Sequence, residues 1–110
     1  MDEIRDLQAR ILSFRDERDW AQFHTPKDLA MSLSVEAAEL LELYLWKGSE
    51  EPDLSRVREE LADVLYCSLL LAAHYQIDVH SAVVDKLAKN ALKYPVETSR
   101  GSNKKGSEPR

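Results

Sequence analysis

Two pairs of carboxylates, each three residues apart, constrain this chain more than any other feature. Glu36 and Glu39 lie in SVEAAELLELYLW, and Glu60 and Asp63 lie in EELADVLYCSLLL. On a helix of about 3.6 residues per turn, positions i and i+3 share a face, so each pair projects together and two adjacent helices would form a cage of four carboxylates. Leu29, Leu33, Leu40 and Leu43 fall at helical spacing, and Glu36 takes a place in that stripe where another Leu would fit. From Leu61 to Ala73 the only charged residue is Asp63, the pattern of a helix enclosed on every side. Asp63 is therefore expected to be buried, and a buried carboxylate must be paired, protonated or bound to metal.

An isolated E-x-x-E is usually just a solvated helix face. Two such pairs set in apolar helix point instead to metal binding. A ligand set of hard oxygens without His or Cys favours Mg²⁺, with Mn²⁺ also possible, over zinc.

The chain has 110 residues, enough for one core. Hydrophobic residues make up 44%, Gly and Pro are scarce, and helix formers dominate, so the fold class is all-α. A net charge of −5 argues against a general nucleic-acid partner. An acidic body that handles phosphates needs metal ions. The single cysteine, Cys67, excludes an internal disulfide, suits a reducing compartment, and sits in apolar helix as a small core residue. Early charges at Asp2, Glu3, Arg5 and Asp6 do not fit a signal peptide, and no apolar run is long enough for a membrane span. The expected location is cytoplasmic, without a membrane partner.

Periodicity predicts four helices. The first runs over 2–19 and is scaffold, with Ile4, Leu7, Ile11, Leu12 and Phe14 as its apolar stripe. Thr25-Pro26-Lys27-Asp28 caps a second helix, expected to reach Lys47 and stop at Gly48. A third starts at Asp53 or Ser55 and ends near Tyr75; a fourth is capped by Asp78 and ended by Pro95. Residues 1–97 form the expected domain. Residues 98–110 carry a net charge of +3 with nothing to bury, and are expected to be a disordered basic tail. A short chain with an all-round apolar helix is expected to complete its core with another copy of itself.

The succession RDWAQFHTPKDLA, E-x-x-E ending in LW-Lys, EELADVL and K-x-x-x-N-x-x-KYP resembles the MazG-like all-α nucleoside triphosphate pyrophosphohydrolases, and among them the dCTP pyrophosphatase branch. The likeness extends roughly from Leu7 to Pro95. It implies a four-helix bundle assembled as a homodimer or homotetramer, and Mg²⁺-dependent cleavage of a nucleoside triphosphate to monophosphate and pyrophosphate. It also implies that Glu36, Glu39, Glu60 and Asp63 are catalytic metal ligands, with Glu39 the candidate to hold or deprotonate the attacking water. Trp20, His24 and Trp46 match the similar enzymes in place and spacing as base contacts. Lys86 and Asn90, with Lys93 and Tyr94, match substrate contacts. Without that likeness, Trp46 reads equally as a core or interface residue, His24 as a turn-stabilising one, and Phe23 as wall or core. His74 and His80 read as structural.

One departure stands out. The similar dCTP enzymes carry a tyrosine four positions after the E-x-x-D aspartate; this chain has Cys67 there and Tyr66 one residue earlier. One residue turns a helical side chain by about 100°, so the base preference stays open between dCTP or a modified dCTP and dUTP or another non-canonical nucleotide. A non-catalytic helical oligomerisation module is the reading from another class. Four retained carboxylates weigh against it.

Overall fold

The computed structural model describes residues 2–48 and 50–104. Among them are five α-helices and one 3-10 turn, and no strand. The chain divides into two compact units, Met1–Ile77 and Asp78–Arg110.

The first unit holds α1 (Glu3–Glu17), the 3-10 turn Ala21–Phe23, α2 (Pro26–Glu42) and α3 (Leu54–His74). Each helix starts on a side-chain cap. The Asp2 carboxylate accepts from Arg5 N–H at 2.7 Å, Thr25 Oγ1 from Asp28 N–H at 3.1 Å, and Asp53 Oδ1 from Ser55 N–H at 3.0 Å. Such caps contribute about 1 kcal/mol each by satisfying donors that the helix itself leaves open.

The end of α1 positions Trp20. Asp19 takes a left-handed conformation (φ 56°), Asp19 N–H donates to Asp16 O, and Trp20 N–H reaches back to Arg15 O at 3.1 Å. This is a Schellman ending, with Asp in the place Gly usually takes, and it folds Trp20 back onto Phe14. α3 ends the same way: Gln76 has φ 55° and Ile77 N–H donates to Ala72 O at 2.9 Å. α2 differs from expectation, closing at Glu42 and not near Lys47. Leu43, Tyr44 and Leu45 donate to carbonyls only three residues back, which tightens the chain out of α geometry, and Trp46 then turns left-handed at φ 68°.

α2 and α3 pack along each other, and α1 lies on α3. Leu29, Leu43, Cys67, Leu69, Leu70 and Ala72 are buried, Leu70 most completely. The Gln8 side-chain amide donates to Leu69 O at 2.9 Å and ties α1 to α3. The upper half of α3 corrects the expectation of all-round enclosure, because Leu61, Leu65 and Asp63 itself are exposed. Two closely packed neighbours leave one face of α3 open. No helix among the described residues is long and apolar enough to cross a membrane.

The second unit holds α4 (Val79–Lys93) and the short α5 (Val96–Ser99). Asp78 Oδ1 caps α4 by accepting from Ser81 N–H at 2.9 Å. Of the segment expected to lack structure, Thr98 and Ser99 close α5, and residues 105–110 lie outside the described residues.

Candidate metal centre and aromatic slot

Glu36 from α2 and Glu60 and Asp63 from α3 each offer a carboxylate oxygen, and these oxygens lie within 4.8 Å of one another. Both Glu60 and Asp63 reach the group because they stand one helical turn apart. The α2–α3 contact brings Glu36 to them. Glu39 is outside this trio, yet its carboxylate acts electrostatically on both Glu36 and Glu60.

The burial falls on the glutamates and not on Asp63. Glu36 and Glu60 are half-buried residues, but Oε2 of each is closed off from solvent and has no hydrogen-bond partner. Loss of solvation, then the nearby carboxylates of Glu39, Asp63 and Glu60, push the Glu36 carboxyl up to about 7. Glu60 is raised first by desolvation and then by Glu39 and Asp63, partly offset by its contact with Glu36. Crowded carboxylates with orphaned oxygens are in tension without a counter-charge, and a divalent cation resolves that tension. The all-oxygen donor set fits a hard cation.

Cys67 is buried beneath this cluster. Burial and then the Glu36 and Asp63 charges push its thiol up, which is the reverse of an activated nucleophile.

Beside Asp63 opens a cavity of about 500 Å³ lined by Arg10, Ile11, Phe14, Trp20, Asp63 and Tyr66. Phe14 is its central aromatic. Trp20 meets it edge-on at 5.8 Å between centroids and Tyr66 at 6.4 Å. The Arg18 guanidinium lies 3.7 Å from the Phe14 centroid and donates to Phe14 O, which clamps the ring from outside. One wall of an aromatic slot is thus a member of the carboxylate trio.

The predicted base contacts are separated by this geometry. Trp20 lines the slot. His24 ends the 3-10 turn with its Nδ1 closed off from solvent and without a hydrogen-bond partner. Trp46 is not part of the slot; it is 100% exposed on the turn after α2, which removes the reading as a core residue. Lys86, Asn90, Lys93 and Tyr94 belong to the second unit, where Tyr94 N–H donates to Asn90 O at 2.7 Å and Lys93 Nζ lies 5.5 Å from the Tyr94 ring centroid. Phe14, Ile11 and Arg10 were not among the predicted site residues, since helical periodicity marks Phe14 and Ile11 only as scaffold. Tyr66 was within reach of sequence reasoning, standing one turn from Asp63 on the same face.

Residues 31–108 match the MazG-like family, and the chain belongs to it. Among individual relatives, it is 41% identical over 110 residues to dCTP pyrophosphatase 1 of Mus musculus, covering 93% of this chain and 63% of that protein. It is 38% identical over 116 residues to dCTP pyrophosphatase 1 of Homo sapiens, covering 98% of this chain and 66% of that protein. The chain therefore spans a little under two thirds of the length of these relatives. A crystal structure of a pyrophosphatase from Archaeoglobus fulgidus superposes with a TM-score of 0.77 at 38% identity, covering 86% of this chain and 94% of that one.

Proposed function

We propose that this chain is a nucleoside triphosphate pyrophosphohydrolase that releases pyrophosphate and leaves the monophosphate, acting on dCTP or a modified dCTP. The observation that carries the reading is the pair of orphaned glutamate oxygens in a carboxylate trio that also forms one wall of an aromatic slot. The names of the relatives, pyrophosphatases in each case, support the same class.

Glu36, Glu60 and Asp63 would hold the cation, with Glu39 adjoining. Bound there, Mg²⁺ or Mn²⁺ supplies neutralisation of triphosphate charge and an acidified water. Phe14 and Trp20, set edge-on to each other, would offer the base one ring face and one ring edge, which would orient the ester so that the phosphate nearest the sugar faces the carboxylates. Glu39, beside the trio, would hold or deprotonate the attacking water. Lys86, Asn90, Lys93 and Tyr94 are kept as substrate contacts, as are His24 and Trp46.

Self-association is part of the proposal. Met31, Val35 and Leu41 on α2 and Leu54, Leu61 and Leu65 on α3 are exposed apolar residues, with Met31 and Val35, and Leu61 and Leu65, each one turn apart, and such surface is ordinarily covered by a partner. A homodimer or homotetramer would cover it, and sedimentation analysis would read the state.

Purified protein should release pyrophosphate from dCTP in the presence of Mg²⁺ and lose this with EDTA. In ¹⁸O-labelled water the label should enter the monophosphate. Label in pyrophosphate, or release of orthophosphate, would overturn the reaction class. Greater activity on dUTP or another non-canonical nucleotide would keep the class and change the substrate, an outcome for which the Tyr66 position gives specific reason. Absence of any turnover would favour the oligomerisation module.

A further inference from the structure

The carboxylate trio has a neighbour on each side along α3. Tyr66, three residues after Asp63, lines the aromatic slot. Arg56, four residues before Glu60 and seven before Asp63, lines a separate pocket of about 310 Å³ with Glu42, Leu43, Lys47, Pro52 and Asp53. Spacings of i, i+4 and i+7 keep Arg56, Glu60 and Asp63 on one helix face. At a rise of about 1.5 Å per residue, Arg56 stands about 6 Å before Glu60 along the axis. On α2 the matching stripe is Glu36, Glu39 and Glu42. Glu36 meets Glu60 and Asp63, whereas Glu42 shares the pocket with Arg56, so the two helices run antiparallel and the pocket lies on the same α2–α3 seam as the trio.

The pocket holds the cations that the trio lacks. Neither Lys47 nor Arg56 closes an ion pair among the described residues. Of the two acids, Asp53 is committed to the start of α3: its Oδ1 accepts from the Ser55 hydroxyl at 2.8 Å and from Ser55 N–H at 3.0 Å, and these bonds, with a smaller contribution from Arg56, hold its carboxyl below the usual range. Glu42 balances the remaining charge, so the pocket suits an anion already bound to a cation better than a bare one.

We propose that Arg56, with Lys47 beside it, is the subsite for the pyrophosphate end of the substrate. The proposal rests on the pyrophosphohydrolase reading above and lays the substrate along one line, with the base in the slot, the phosphate nearest the sugar at the carboxylates, and the two outer phosphates on the seam at Arg56. Water attacks the first phosphorus and gives up its proton, and the bond from that phosphorus to the bridging oxygen breaks with its electron pair on the departing pyrophosphate. A guanidinium offers two parallel N–H donors to phosphate oxygens, which both aligns that bond and meets the charge left on the leaving group.

The test is calorimetric binding of pyrophosphate and of dCMP, each with Mg²⁺, to the wild-type chain and to Arg56→Ala, Arg56→Lys and Lys47→Ala, alongside kcat and KM for dCTP. Arg56→Ala should weaken pyrophosphate about tenfold or more and leave dCMP within about twofold, with the loss on dCTP appearing in kcat/KM. Arg56→Lys should recover part of the pyrophosphate affinity, and Lys47→Ala should show a smaller loss in the same direction. Both residues are exposed, so the variants should keep the wild-type circular dichroism. Unchanged pyrophosphate binding in Arg56→Ala would overturn the subsite, as would equal weakening of pyrophosphate and dCMP. A wild-type chain that neither cleaves dCTP nor binds pyrophosphate would bring down the functional reading and the subsite together; cleavage with pyrophosphate binding unaltered by Arg56→Ala brings down the subsite alone.

Discussion

Trp20 and Trp46 each follow the last turn of a helix at a corner that holds one left-handed residue, yet their surroundings differ sharply. Trp20 comes after Asp19 (φ 56°), is held by its N–H to Arg15 O, packs on Phe14, and is 41% exposed. Trp46 is itself left-handed (φ 68°) and entirely exposed. The first corner is completed by the chain's own contacts. At the second, a large apolar ring stands fully in solvent on a backbone conformation that is unfavourable for a residue with a Cβ. One corner is preorganised, and the other is available to substrate or a second copy.

The largest expected difference between the two corners is in turnover. Asp63 borders the completed corner, so Asp63→Ala should lower kcat about a thousandfold, equivalent to about 4 kcal/mol of lost transition-state stabilisation. Because Asp63 is exposed, circular dichroism should show the fold retained. Trp46→Ala should instead raise KM for the preferred nucleotide and leave kcat close to wild type. Reversal of these two outcomes in steady-state assays would mean that the chemistry is at the α2 turn.

Stability should separate the tryptophans next. Trp20→Ala removes the aromatic contact and part of the slot wall, for a loss of about 2 kcal/mol in denaturant unfolding. Trp46→Ala should stay within about 0.5 kcal/mol in dilute protein, as for other exposed positions. A loss for Trp46→Ala that grows with protein concentration would identify another copy as its cover.

The sequence carried these corners unequally. Thr25-Pro26, Asp53 and Asp78 are legible helix starts because a cap is a local contact, and all three serve as caps. The end of α2 was not legible. Gly48 does have positive φ, but the chain leaves α geometry five residues before the expected stop through three-residue hydrogen bonds that no single side chain announces. The carboxylate pairs follow from i, i+3 spacing and α2–α3 packing, whereas the exposure of Asp63 depends on how many neighbours α3 finds. The slot depends on where α1 crosses α3, which is why Phe14 looked like scaffold. Likeness to a family supplied Trp20 where periodicity had no place for it.

A pH series tests the carboxylate side without reference to activity. In metal-free protein the Glu36 carboxyl is raised to about 7 from 4.5, chiefly by burial and then by its carboxylate neighbours, and Glu60 moves in the same direction. Between those values the folded chain keeps a proton that the unfolded chain has released. The associated stability is complete below about pH 4.5 and is lost as pH rises through about 7. Melting in EDTA should therefore be several degrees higher at pH 5 than at pH 7.5, and Glu36→Gln should flatten that slope. Mg²⁺, which requires the deprotonated carboxylates, should raise the melting temperature more at pH 7.5 than at pH 5. No change in slope for Glu36→Gln would place the desolvated charge elsewhere.

The smallest effect examines the backbone of the open corner directly. At a helical or extended position, glycine is less stable than alanine because it has more freedom to lose on folding. At a left-handed position the order reverses, since the alanine Cβ crowds the neighbouring carbonyl and glycine has none. Trp46→Gly should thus be more stable than Trp46→Ala by about 0.5–1 kcal/mol in urea unfolding. Both variants lack the indole, so the difference reports the backbone and not the ring. Asp19→Gly against Asp19→Ala supplies the matching pair at the completed corner, where φ is 56° and the same order is expected. If alanine equals or exceeds glycine at 46 while glycine wins at 19, the α2 turn is not held left-handed in solution. Trp46 would then be a mobile ring on a relaxed turn, and the contrast between the two corners would lie in packing alone.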